Sequence, residues 1–83
     1  MNTIVNKSQI QTTDMFILRT NIDKRSEFLS LKRDLQKIAG VYSCTIDLSD
    51  NDKVLRVECE NLGIDKIVNE VANHGFFCEE LED

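Results

Sequence analysis

The chain runs through two hydrophobic rhythms. Met15 to Arg19 is a short apolar run of strand length. Phe28, Leu31, Leu35 and Ile38 then recur at i, i+3, i+7 and i+10, one stripe on a 3.6-residue period. Lys32, Arg33, Asp34, Gln36 and Lys37 fill the other faces, and Gly40 is the expected left-handed stop, where a side chain would clash. The period next falls to two. Cys44, Ile46 and Leu48 alternate with Thr45 and Asp47, and beyond the turn residues Ser49 to Asp52, Leu55, Val57 and Cys59 alternate with Arg56, Glu58 and Glu60. Ile64, Ile67, Val68, Val71 and Ala72 form a second helical stripe that stops at His74-Gly75, and Phe76 to Leu81 reads as a last strand. Residues 1–14 are polar and aperiodic, which predicts a flexible tail ahead of a single domain over residues 15–83.

The predicted order is strand, helix, strand, strand, helix, strand. Each helix has one apolar stripe, so both can cover the same face of a four-stranded antiparallel sheet. This is an α+β, ferredoxin-like βαββαβ arrangement. The other face of the sheet is then left open. Phe76 and Phe77 are adjacent, as are Phe16 and Ile17, and neighbours along a strand face opposite ways. Ile17 and Phe77 are therefore the apolar candidates for a partner surface or homodimer interface, unless Ile4, Val5 and Ile10 of the tail fold back over it.

Composition narrows the function. Ten basic and fifteen acidic residues give a formal charge of -5, which disfavours nucleic acid and anionic lipid as partners. No apolar run approaches the roughly 20 residues of a membrane span, and the first residues lack the apolar core of a secretory signal. Cys44, Cys59 and Cys78 are odd in number and widely spaced, which points to core thiols in a reducing, cytoplasmic setting. With one histidine, no phosphate-binding loop and no nucleophile motif, the chain is not expected to be an enzyme.

Two stretches, "IAGVYSCTIDLSDNDKVLRVE" and "IVNEVANHGFFCEEL", are similar to the Gly-Val hairpin and to the helix, Gly-aromatic step and final strand of the heavy-metal-associated (HMA) domain. From Ile17 to Leu81 the chain resembles that family, the βαββαβ module of copper chaperones, mercury-binding proteins and metal-transporting ATPases. The family's Met-x-Cys-x-x-Cys motif, whose thiolates hold a soft ion such as Cu(I), aligns with Asn21 to Ser26. Asn21 then stands in the place of Met, and Asp23 and Ser26 in the places of the cysteines. No cysteine occurs before Cys44, so the resemblance implies a degenerate member that has lost its soft-metal site.

Two functions remain. The favoured one is a protein-interaction module without cofactor, contacting its partner through Lys24, Arg25, Ile17 and Phe77. The alternative is metal binding or trafficking, through cysteines brought together between chains or through a substituted oxygen and imidazole site of Asp23, Asp50, Asp52 and His74. The topology brings the loops carrying those four residues to one end of the sheet. Their plainer roles are structural, with Asp23 or Asn21 capping the first helix and Ser49 to Asp52 making a turn.

Overall fold

The structure, a computed structural model, describes residues 13–81. Six elements follow one another: β1 (Asp14–Thr20), α1 (Arg25–Leu35), β2 (Val41–Asp47), β3 (Val54–Cys59), α2 (Ile64–Asn73) and β4 (Cys78–Glu80). The strands form one antiparallel sheet in the order β2-β3-β1-β4, so β2 and β4 are its edges. This is the ferredoxin-like arrangement that the sequence pattern predicts.

The period-two reading of the hairpin sets which side chains go inward. Cys44 pairs with Val57 and Ile46 with Leu55, while Phe16 and Leu18 of β1 pair with Val57 and Leu55 from the other side. One row across three strands thus faces the helices. Leu18, Leu55, Val57 and Cys59 are fully buried, and Cys44 is nearly so. From the helices come Phe28, Leu31 and Leu35 of α1 and Ile67 and Val71 of α2, all buried. Removing each such apolar side chain from water contributes about 1.5–3 kcal/mol. Ile22, in the loop between β1 and α1, is also fully buried and anchors that loop from beneath.

The structure departs from the expected pattern at several boundaries. β1 begins at Asp14, one residue before the expected domain start. Whether residues 1–12 form a tail, and whether Ile4, Val5 and Ile10 cover the open face, lies outside the described residues. α1 ends at Leu35, so Ile38 is not helical, although it still packs on the core. Gly40 has φ +98°, but it opens β2 rather than closing α1. Its carbonyl accepts the Glu60 N–H at 2.9 Å, and a Cβ there would sit 2.5 Å from the Glu60 carbonyl oxygen. At the second stop the expectation holds. Gly75, at φ +86°, donates to the Ala72 carbonyl at 2.9 Å, and Phe76 donates to Val71 at 3.1 Å, closing the end of α2. Ala72 is exposed, so the α2 stripe is narrower than the sequence implies. The last strand is only Cys78–Glu80, which leaves Phe76 and Phe77 in the connection before it.

Candidate functional site

The loop from Thr20 to Ser26 is held at both flanks by backbone contacts. Thr20 N–H donates to the Asp52 carbonyl at 2.9 Å, which ties the loop to the β2–β3 turn. The Thr20 hydroxyl donates to the Lys53 carbonyl at 2.7 Å and accepts the Ile22 N–H at 3.2 Å. On the other flank, Asn21 Oδ1 accepts the Phe77 N–H at 2.7 Å, and Asn21 N–H donates to the Phe77 carbonyl at 3.4 Å. The loop thus meets the hairpin turn and the chain at Phe77, whereas His74, expected beside them, makes its contacts elsewhere.

The expected helix cap is not. Lys24 is the N-cap residue of α1, and neither Asn21 nor Asp23 fills that role. Glu27, in the first turn, reaches back instead, and its Oε1 accepts the N–H groups of Asp23 and Lys24 at 3.2 and 3.1 Å. This is the glutamate half of a capping box; the Lys24 ammonium has no lone pair with which to complete the other half. Asn21 is committed to Phe77. Asp23 Oδ1 lies 3.6 Å from Lys53 Nζ, with the Asp23 side chain 76% exposed, so the pair contributes little energy. Ser26 is exposed in the first turn of α1.

The substituted oxygen and imidazole set divides in two. Asp23 reaches the hairpin turn only through Lys53, whose ammonium also donates to the Leu48 carbonyl at 2.9 Å. Asp50 Oδ1 accepts the Asp52 N–H at 2.8 Å, the turn chemistry expected of this stretch, and Asp47 Oδ1 accepts the Ser49 N–H at 3.1 Å. The Ser49 hydroxyl donates to the same Asp47 oxygen at 2.6 Å and, with the Ser49 N–H, holds the Asp47 carboxyl below the ordinary carboxylate range. His74 faces elsewhere. Its Nε2 donates to Asp34 Oδ2 at 2.8 Å and lies 3.6 Å from Glu70 Oε2. The bond from His74, followed by the charge of Lys37, lowers the Asp34 pKa.

Sequence reading missed this cluster. Glu70 and His74 are one helical turn apart on α2, a spacing legible as Glu-x-x-x-His. Asp34 joins them only through the packing of α1 on α2, which no local pattern encodes. Together the three present one imidazole nitrogen and two carboxylate oxygens, all within 4.8 Å of one another.

Of the candidate contact residues, Lys24 and Arg25 are exposed at the start of α1, and Phe77 is 55% exposed beside Asn21. Ile17 is half-buried, opposite Arg56 in the sheet. Phe16 and Phe76 both pack against the core, but Phe76 and Phe77 precede the strand, so strand alternation does not set how that pair divides. The three cysteines are free. Cys44 and Cys59 are buried, Cys78 is half-buried against the core, and desolvation raises the pKa of all three thiols. Such thiols are poor nucleophiles and poor metal ligands. Among the described residues, no helix is long and apolar enough to cross a membrane.

No protein-family model matches the sequence, and no curated protein matches it. Solved structures do resemble it. The yeast copper transporter domain Ccc2a, studied in apo and Cu(I)-loaded states, superposes with a TM-score of 0.72 at 25% identity, over 83% of this chain and 96% of that one. Oxidized MerP from Ralstonia metallidurans gives a TM-score of 0.71 at 15% identity, over 86% and 100%. The first domain of the human copper chaperone for SOD1, in its copper(I)-loaded form, gives 0.70 at 17% identity, over 84% and 94%.

Proposed function

We propose that this chain, which has the fold of the heavy-metal-associated domains, is a protein-interaction module rather than a carrier of soft metal ions. One observation carries the reading: the loop in the place of the metal motif has no thiol, and its polar groups already serve the fold. Asn21 bonds to Phe77, Asp23 faces Lys53, and Glu27 caps the helix start. The cysteines lie in β2, β3 and β4, with their thiols pushed toward the protonated form by burial.

The contact surface is the ground around that loop. Phe77 stands out as an exposed aromatic, with Lys24 and Arg25 at the adjoining helix start. Charge is concentrated along α1, which begins at that loop. Residues 24–37 hold Lys24, Arg25, Lys32, Arg33 and Lys37 against Glu27 and Asp34, a charge of +3 there and -8 over the rest of a chain whose total is -5. Leu29, 52% exposed on α1, adds an apolar contact to this basic helix. An acidic protein surface with an apolar centre is the partner such a patch would steer and hold.

The test has two arms. Capture from a lysate of the native organism should lose a specific partner with Phe77→Ala and with Lys24→Glu/Arg25→Glu, while the variants keep the native circular dichroism. Unchanged capture by all of them would sink the surface. Cu(I) titration of the reduced protein should leave the amides of residues 20–26 unmoved. Stoichiometric shifts there would instead restore the trafficking reading.

A further inference from the structure

Asp34, Glu70 and His74 come from two different helices. Asp34 stands in the last turn of α1, Glu70 in α2, and His74 at the C-cap of α2. His74 Nε2 lies 2.8 Å from Asp34 Oδ2 and 3.6 Å from Glu70 Oε2. Nitrogen and oxygen ligands sit about 2.0–2.2 Å from a tetrahedral Zn(II). Tetrahedral geometry then separates them by about 3.3–3.6 Å, and the two measured spacings bracket that range. Small rotamer adjustments would bring all three donors onto one ion.

Shielding and charge point the same way. The side chains are 16% exposed for His74, 25% for Glu70 and 34% for Asp34, so the cluster is walled on the protein side and open to water on the other. With the imidazole neutral, the two carboxylates carry two negative charges. The Lys37 ammonium, 3.5 Å from the other Asp34 oxygen, offsets one of them and leaves Oδ2 available. The donor set contains no sulfur. One imidazole with two carboxylates suits borderline first-row divalent ions and not Cu(I).

We propose that Asp34, Glu70 and His74 form a three-ligand site for a borderline divalent cation, with Zn(II) as its probe, that clamps α1 to α2. Binding takes the imidazole tautomer with its proton on Nδ1, which frees the Nε2 lone pair for the ion. The hydrogen bond to Asp34 gives way to a shared metal. The fourth position is open to water or to a group from another molecule. The site uses none of the residues of the Asn21–Ser26 loop, so it stands or falls independently of the interaction reading.

The experiment is a calorimetric titration of zinc chloride into the reduced protein at pH 7.5 in a weakly coordinating buffer, paired with Co(II) absorption. One ion per chain is expected, with visible d–d bands, no thiolate-to-metal band in the near ultraviolet, and a raised melting temperature. Glu70→Gln, Asp34→Asn and His74→Gln should each weaken binding on the order of tenfold or more and abolish the thermal gain. Glu70→Gln leaves the His74–Asp34 hydrogen bond intact, so its effect reports a ligand and not a lost helix contact. The proposal is overturned by binding that Glu70→Gln and His74→Gln leave unchanged, by a Co(II) spectrum of thiolate character, or by no binding at millimolar zinc.

Discussion

Asn21 and Phe77 form a reciprocal pair: the Asn21 side-chain oxygen accepts the Phe77 N–H at 2.7 Å, and the Asn21 N–H reaches the Phe77 carbonyl at 3.4 Å. The pair extends the β1–β4 ladder beyond Thr20, whose Cα partner is Cys78. It therefore continues a strand only three residues long. Asn21→Ala keeps the backbone half and loses the side-chain acceptor, which should cost about 0.5–1.5 kcal/mol. Asn21→Asp keeps an acceptor and should cost less. Urea unfolding of the two variants checks the ranking, and hydrogen exchange at the Phe77 amide should quicken in Asn21→Ala alone. Equal losses in both variants would assign the effect to something other than this bond.

The two left-handed glycines differ in what surrounds them. At Gly75, with φ +86°, an added Cβ meets nothing within 4 Å, so Gly75→Ala should cost only the backbone strain, about 1–2 kcal/mol. At Gly40, with φ +98°, the Cβ would collide with the Glu60 carbonyl oxygen, which belongs to the segment that pairs back through Glu60 N–H. Backbone cannot swing aside as a flexible side chain can. Gly40→Ala should cost on the order of 3 kcal/mol or more. Thermal unfolding of the two single variants gives the comparison, and equal costs would contradict the crowding at Gly40.

Where sequence served and where it failed has a physical pattern. The alternation of Cys44 and Ile46 with Leu55, Val57 and Cys59 identified the inward row, because a half-buried strand must repeat every two residues. The helix stripe found Phe28, Leu31 and Leu35 for the same reason, at a period of 3.6. Boundaries were less legible. Ile38 continues the helical spacing but is held by a turn, in which its N–H donates to Leu35 at 3.0 Å. A residue can reach the core from a turn as well as from a helix, so apolar spacing alone could not mark the end of α1. Asp23 and Asn21 are good N-cap types by sequence, yet tertiary partners, Lys53 and Phe77, engage them instead. Loop order alone places His74 with Asp23, Asp50 and Asp52. Its true neighbours depend on how α1 packs on α2, which the sequence does not state.

The cysteines set a pH dependence. Burial raises the pKa of Cys44, Cys59 and Cys78 in the folded state above the thiol's ordinary value near about 8.5. Above that value the unfolded chain releases thiol protons that the folded chain retains. The folded state then binds more protons, and stability falls as pH rises. The midpoint of urea denaturation should be flat in this respect up to about pH 8 and decline beyond about pH 9. Tyr42, whose hydroxyl donates to Glu60 and whose pKa is raised chiefly by that bond, adds to the decline at still higher pH. Thiol modification should be slow for the native protein and fast in denaturant. Rapid native labelling at neutral pH at Cys44 or Cys59 would contradict their burial.

A Met-x-Cys-x-x-Cys motif can be built into the loop after β1. Asp23 lies just before α1 and Ser26 within its first turn, where helix N–H groups favour a thiolate. Asn21→Met, Asp23→Cys and Ser26→Cys together create the Met-x-Cys-x-x-Cys pattern on a backbone that superposes on the yeast copper transporter domain, studied with Cu(I) bound, with a TM-score of 0.72. The substitutions remove the Asn21–Phe77 side-chain bond and the weak Asp23–Lys53 pair, a loss of about 1–2 kcal/mol that a domain of this size should survive. The grafted chain should take one Cu(I) in competition with a chromophoric chelator and shift the amides of residues 20–26, whereas the native chain should do neither. If the folded graft fails to bind, the loop differs from a Cu(I)-binding loop in backbone as well as in side chains. If the native chain competes as well as the graft, the thiolates of Cys44, Cys59 or Cys78 are reaching the ion, and the reading of them as buried core groups is wrong.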